Sequence, residues 1–449
     1  MTNTQMIEQN DQNSAYSYSD TSLIDHVKNL FSYCRSITGV GTVKTLSYFE
    51  SYFSILNRLT FKSGEIAFDW EIPPEWIIHD AFLEHIDTGR RYAEFASNNL
   101  HVMGYSYPIN EVIELNHLEE HIYTLPSQPN LIPYVTSYYQ KAWGFCMSHT
   151  DKNNMPKGLY KVFIDSDFNY NGKMDLSHAL IKGKTSEEIF LSSYVCHPSM
   201  ANNELSGPVL LCKIIEYINT NYPSPNKSYR FVLLPETIGP IAYLSRYLEL
   251  LLTNVICGFN LSCVGDERAY SHLKSPYGNT LADLALESAL IGLPNVKTYS
   301  FLERGSDERQ YCSPLVELPL CTFCRTKFGK YPEYHTSADL PETVVTDNGL
   351  NQSFDVMKSI IDAFEIGIYP IASFPCEPML GKRQLYPNIS IKDSKPANVR
   401  KRMDIIAYCN GKNTLFTIAI ITNISLKDIV CEIRLLILHG IVKCCHKKK

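Results

Sequence analysis

Residues 187–207, EEIFLSSYVCHPSMANNELSG, decide the fold. The first nine form an apolar run bounded by polar residues, which reads as a buried strand. A dense polar loop, Cys196-His197-Pro198-Ser199-Met200-Ala201-Asn202-Asn203-Glu204, follows it, and residues 207–221 read as a helix. The same order recurs downstream. Residues 229–234 (YRFVLL) predict a strand, 238–249 a helix, 254–264 a strand, 281–290 a helix, 319–322 a short strand and 346–367 a long helix. Strands alternating with helices predict an α/β sheet with much parallel pairing. Functional groups in such sheets collect at the carboxyl ends of the strands.

On the amino-terminal side, residues 1–20 are polar and lack an apolar signal segment, so they read as a disordered tail. Residues 22–34 carry Leu23, Ile24, Val27, Leu30 and Phe31 at helical spacing, and Gly39 and Gly41 follow the predicted helix. From about residue 61 to 143, short β-rich pieces alternate with Pro73, Pro74, Pro108, Pro126, Pro129 and Pro133, as in a small β-rich insert. Residues 160–167 and 174–182 flank Asn171-Gly172, the strongest short hairpin signal. On the carboxyl-terminal side, residues 402–408, 415–421 and 425–438 predict three helices, and 441–443 a strand, the pattern of a winged helix-turn-helix. The expected division is therefore a tail at 1–20, an α/β core at 21–60 and 156–370, an insert at 61–155 and a winged helix at 395–446.

The chain has 449 residues, 45% hydrophobic and 20% charged, with a net charge of −6. That balance gives no global attraction to nucleic acid or anionic lipid. No apolar run reaches the roughly 18 residues of a membrane span. The 14 cysteines lack a framework spacing and a signal peptide, which predicts reduced thiols in a cytoplasmic protein.

Three predicted strands end in clusters suited to chemistry: His197 to Glu204, then Pro235-Glu236-Thr237, then Gly265-Asp266-Glu267. A histidine and several carboxylates at one sheet edge can hold a divalent cation and a general base. In sequence order, CHPSMANNELSG (196–207), PETIGPIAYLS (235–245), GDERAYS (265–271), GSDERQYCSP (305–314) and YPEYHTSADL (331–340) resemble the bacterial aminopeptidase-like proteins associated with polysaccharide biosynthesis. These are related to the co-catalytic zinc aminopeptidases and glutamate carboxypeptidases. The resemblance implies a zinc-aminopeptidase-like mixed sheet flanked by helices, with the insert and the winged helix attached.

It also implies roles. His197 and Asp266 match ligands of one zinc and His335 a ligand of a second; Glu236 matches the general base and Tyr334 the residue that stabilises the oxyanion. Three positions depart from the family pattern. Asn203 stands where the bridging Asp belongs, Thr237 replaces the second Glu of a pair, and Ser199 replaces the Asp that orients the ligand histidine. A neutral amide cannot neutralise charge shared by two cations, so one zinc ion is expected rather than two, held by His197, Asp266 and His335, with Asn203 or Glu204 as the last ligand. Asp307, Glu308 and Arg309 are candidates for a substrate clamp, with a salt-bridged turn as the alternative.

The expected activity is hydrolysis of a peptide or amide bond in a small substrate. A noncatalytic binding or regulatory protein on the same fold is the alternative, and a DNA-binding regulator working through the winged helix a third reading. The near-neutral third helix, with Lys427 and Arg434 beside Asp428 and Glu432, argues against nucleic acid. A homo-oligomer is compatible with the sequence. His117-Leu118-Glu119-Glu120-His121 matches an inverted zincin pattern, but Pro126 stops the helix it needs.

Overall fold

The computed structural model of the chain describes residues 17–386 and 397–446. Its centre is an eight-stranded mixed sheet built from β1 (Asn57–Lys62), β2 (Lys173–Ile181), β3 (Glu188–Tyr194), β4 (Ser228–Leu234), β5 (Val255–Leu261), β6 (Tyr270–Leu273), β7 (Val296–Tyr299) and β8 (Leu320–Cys324). The spatial order is β1-β2-β4-β3-β5-β8-β6-β7. β4, β3, β5 and β8 run parallel, while β1, β2 and β6 add antiparallel pairings. Every residue of β3 and β4 is buried, as both-face coverage by helices demands, which explains why these strands read as continuous apolar runs. β6 and β7 escape sequence reading because they are four-residue strands near the sheet edge, without such runs.

Helices α1 (Leu23–Phe31), α2 (Val40–Tyr52), α3 (Ser206–Asn221), α4 (Ile238–Asn254), α5 (Leu281–Leu290) and α6 (Asp347–Ile366) flank this sheet. Part of the expected tail is anchored: Tyr18 is buried and its hydroxyl donates to the Val209 carbonyl at 3.2 Å. Residues 1–16 lie outside the described residues.

The insert is a four-stranded antiparallel sheet in the order Arg91–Tyr92, Glu75–His85, Leu159–Asn169, Ile109–Glu114. This corrects the hairpin at Asn171-Gly172. Leu159–Asn169 pairs within the insert, whereas β2 pairs with β1 and β4, so the chain changes sheets at this turn. Neither Asn171 nor Gly172 has a positive φ, which a two-residue type I′ hairpin needs at both. The expected boundary at 155/156 thus separates one strand from the sheet it completes.

The winged helix consists of α7 (Ala397–Ala407), α8 (Leu415–Thr422), α9 (Leu426–Leu438) and an antiparallel strand pair, Tyr369–Ala372 with Val442–Cys445. It is fastened to the core: α8 packs on α5 and α9 on α6. Ile429 and Ile433 share one hydrophobic cluster with Met357 and Ile360 of α6, and Arg434 pairs with Asp362 at 3.4 Å. Among the described residues no helix is long and apolar enough to cross a membrane. The 14 cysteines are free thiols.

Candidate active site

Three loops at the carboxyl edge of β3, β4 and β5 meet the 331–340 segment. His197 follows β3 and is almost fully buried. Its Nδ1 lies 2.9 Å from Glu204 Oε2, and its Nε2 faces Glu236 Oε2 at 3.6 Å. His335 arrives from the other side, with ring centroids 5.4 Å apart. Its Nε2 is buried and has no hydrogen-bond partner among the described residues. Tyr334 stacks on His335 at 3.9 Å and 14°. So the structure gathers five of the expected residues, His197, Glu204, Glu236, Tyr334 and His335.

The electrostatics differ between the two imidazoles. Burial holds His335 down to about 3, and His197 beside it pushes the same way, so His335 is neutral. Burial alone would also lower His197, but the bond and charge of Glu204 outweigh it and raise the group. Glu236, half-buried at the mouth of the crevice, is raised by burial against the opposing pull of His197 and Arg309. A carboxylate shifted upward moves toward the range where a general base works best.

Glu204, expected as a ligand, has another place. It is fully buried between His197 and Arg35, whose Nε lies 3.6 Å from Oε1. Arg35 also donates to the carbonyls of His197 (2.9 Å) and Leu30 (2.6 Å). Glu204 thus sets a carboxylate against His197 Nδ1, with Arg35 on its other side. Asp266, also expected as a ligand, is engaged elsewhere. It accepts from Thr326 N (2.8 Å), Thr326 Oγ1 (2.7 Å), Arg268 N (2.9 Å) and Asn202 Nδ2 (3.3 Å), which fills the roughly four acceptor positions of a carboxylate. Asn203 Oδ1 accepts from the Tyr194 hydroxyl at 2.8 Å, and that hydroxyl also meets Ser262 Oγ at 2.7 Å. Where β5 reaches the site it thus sends a neutral serine, four residues before the aspartate expected there.

Residues 305–311 fold as a clamp on the chain after Glu236. Asp307 Oδ1 accepts from Thr237 N at 2.9 Å, and Arg309 Nη2 donates to Thr237 Oγ1 at 2.8 Å. Thr237 has φ 66° and ψ −68°, and Ile238 N bonds Glu236 O at 2.8 Å, a strained γ-turn. Glu308 is spent on structure, accepting from Gly305 N, Ser306 N, Asn260 Nδ2 and Thr322 Oγ1. Of the expected substrate clamp, Asp307 and Arg309 border the site and Glu308 does not. Burial and neighbouring Glu236 push Asp307 well above the usual carboxylate range.

Two contributors were invisible in the sequence. Arg35 comes from the loop after α1. Tyr134 comes from the insert and sets its ring edge-on against both His197 (5.1 Å) and His335 (5.2 Å). Tyr134 N donates to His335 O at 2.9 Å, and Ser337 N to Ile132 O at 2.9 Å, so the insert also holds the loop carrying His335. Only the long range of these contacts hides them; Pro129 and Pro133 flanking an extended segment were the one available sign.

Metal fit follows from the donor chemistry. Cys196, His197 and Glu204 bring ligand-type atoms within 4.8 Å of one another. Burial keeps Cys196 a thiol, Nδ1 is engaged, and Arg35 already provides a cation there, so this group does not suit a metal. Two ions do not fit either, since Asn203, Thr237 and Ser262 are neutral. The donors left over on this side are His197 Nε2, which faces Glu236, and His335 Nε2, which has no hydrogen-bond partner among the described residues. The inverted zincin pattern is excluded geometrically: Leu115–Leu118 is a single turn, and His121 stacks on Trp143 at 3.6 Å.

A mixed α/β sheet with polar loops at its carboxyl edge, carrying an antiparallel insert and a winged helix, defines an aminopeptidase-like fold. The chain belongs to the family described as a domain of unknown function, DUF4910, which matches residues 24–367; a winged helix-turn-helix family matches residues 369–444. A Clostridium acetobutylicum protein, provisionally named for polysaccharide biosynthesis with an aminopeptidase-like domain, is 35% identical over 88% of this chain and 89% of its own. A crystal structure of a provisionally assigned peptidase from Clostridium acetobutylicum is 32% identical, with a TM-score of 0.85 over 97% of this chain and 98% of that one. BSAP, a zinc aminopeptidase from Bacillus subtilis, shares the fold at 13% identity, with a TM-score of 0.56 over 77% and 94%.

Proposed function

We propose that the chain is a metal-dependent hydrolase of a peptide or amide bond in a small substrate, with His197 and His335 holding one divalent ion, zinc by donor type, through their Nε2 atoms. The observation that carries this reading is His335 Nε2, buried and without a partner among the described residues. The large majority of buried side-chain polar atoms have a hydrogen-bond partner, so an unpartnered one beside other ligand-type groups calls for an explanation. An ion there supplies Lewis-acid polarisation of the scissile carbonyl. Glu236 takes a proton from the attacking water and passes it to the departing amine. The Tyr334 hydroxyl, which has no hydrogen-bond partner among the described residues, donates to the oxygen that gains charge. Asp307 and Arg309 border the substrate through their hold on Thr237.

The neutral Asn203, Thr237 and Ser262 favour a second reading, a noncatalytic binding protein on an aminopeptidase fold. Elemental analysis separates the two. Hydrolysis requires near-stoichiometric zinc or another divalent metal after reconstitution, and its absence would sink the first reading. With metal present, Glu236→Gln should lower turnover of an aminoacyl-anilide panel by roughly 10²–10⁴-fold at unchanged metal content. Retained turnover would remove Glu236 from the base role.

A further inference from the structure

We propose that Glu204, anchored by Arg35, is a positioning residue for His197: it fixes the proton on Nδ1 and turns Nε2 toward the crevice opposite Glu236. The assignment deepens the hydrolase reading and rests on it for the use of Nε2, though not for the geometry. Glu204 Oε2 is 2.9 Å from Nδ1, a distance at which a carboxylate accepts the Nδ1–H and leaves Nε2 with its lone pair exposed. Ligand histidines are commonly held this way by a carboxylate behind them.

The turn that carries Glu204 is held in place, and Arg35 stands behind the carboxylate at ion-pair distance. Glu204 sits in the π-helical turn Ala201–Leu205 ahead of α3, and Asp339 Oδ1 and Oδ2 accept from the amides of Asn202 (2.8 Å) and Asn203 (2.9 Å) to fix that turn. Arg35, fully buried, braces both ends of the pair through the His197 carbonyl and the Glu204 carboxylate. Among the described residues no other salt-bridge partner of Glu204 is found, so its carboxylate faces one guanidinium and one imidazole. Only the Nε2 side of His197 opens toward Glu236.

The test uses the full chain labelled with ¹⁵N-histidine and stripped of metal by chelator. A proton on Nδ1 held by a carboxylate gives a far-downfield resonance, assigned to His197 by its loss in His197→Gln. Glu204→Gln, near-isosteric, should lose or strongly shift that resonance and weaken zinc binding by roughly 10–100-fold. The control Glu84→Gln, which breaks a pair with Arg91 in the insert, should change neither. A wild-type chain without the resonance, or Glu204→Gln that keeps it with unchanged zinc affinity, overturns the proposal. If the variant fails to fold, the wild-type resonance alone still decides. A wild-type chain that shows the resonance but binds no zinc overturns the hydrolase reading and leaves the positioning role standing.

Discussion

Asp283, buried at the amino end of α5, accepts from the amides of Ser275 and Thr280 (2.9 Å each) and the Thr280 hydroxyl (2.8 Å), bonds the Ser275 hydroxyl, and faces His272 Nε2 at 3.1 Å. Burial alone would raise its carboxyl, but these partners outweigh it and lower it to about 2. An unfolded Asp titrates near 3.9, so the folded value lies below the unfolded one. The stability this provides, roughly 2–3 kcal/mol, is complete above about pH 5 and is lost as pH falls toward 2. Urea denaturation between pH 3 and 6 should show wild-type stability falling more steeply with acid than that of Asp283→Asn; equal slopes would refute the assignment. Cys321 stands with His272 and Asp283, yet a carboxylate with every acceptor position filled has none for a metal. The same bookkeeping explains what the sequence made legible at this scale. His197, Glu236, Tyr334 and His335 were found because each follows a readable strand or motif. Asp266 was misplaced because its loop turns back to Thr326, and no local pattern reports that. Arg35 reaches His197 across 162 residues and Tyr134 reaches the site from the insert, so tertiary packing alone places them.

Between α3 and the strands beneath it, close approach is set by Gly207. A Cβ there would fall closer to Ser193 Oγ on β3 and the Leu261 carbonyl on β5 than real Cβ atoms come. Both atoms belong to central strands that cannot yield. Gly207→Ala should therefore destabilise the chain by about 3 kcal/mol, as overpacking in a rigid core does, and read out as a lower denaturation midpoint at unchanged slope. The cost propagates to the site, because α3 begins with the turn that carries Asn203 and Glu204. A stability unchanged within about 0.5 kcal/mol would mean the helix can lift off the sheet. Element reading succeeded for β3, β4, α3, α5 and α6, whose apolar faces are wholly buried. It failed at Asn171-Gly172, where the dipeptide's hairpin preference yields to a chain that leaves one sheet for another.

At the scale of the molecule, the winged helix packs on the aminopeptidase-like core. A groove-reading domain leaves its third helix free for the major groove, with basic residues facing outward. Here α9 turns Leu426, Ile429, Val430, Ile433 and Leu436 inward, against α6 and α8, and its Arg434 is committed to Asp362. Burial joins the two units into one hydrophobic cluster, so they should unfold together. Ile433→Ala, which removes a fully buried side chain at this junction, should cost about 2–5 kcal/mol and lower the midpoint of a single transition seen alike by tryptophan fluorescence and far-ultraviolet circular dichroism. A first, separate transition in the variant would show that the winged helix unfolds alone. The same docking predicts no DNA retention by the full chain that weakens steeply with salt, since reading a groove with α9 would first expose the apolar face it shares with α6. Retention that fell with added salt would require α9 to undock, and hydrogen exchange across residues 426–438 would then rise with DNA present.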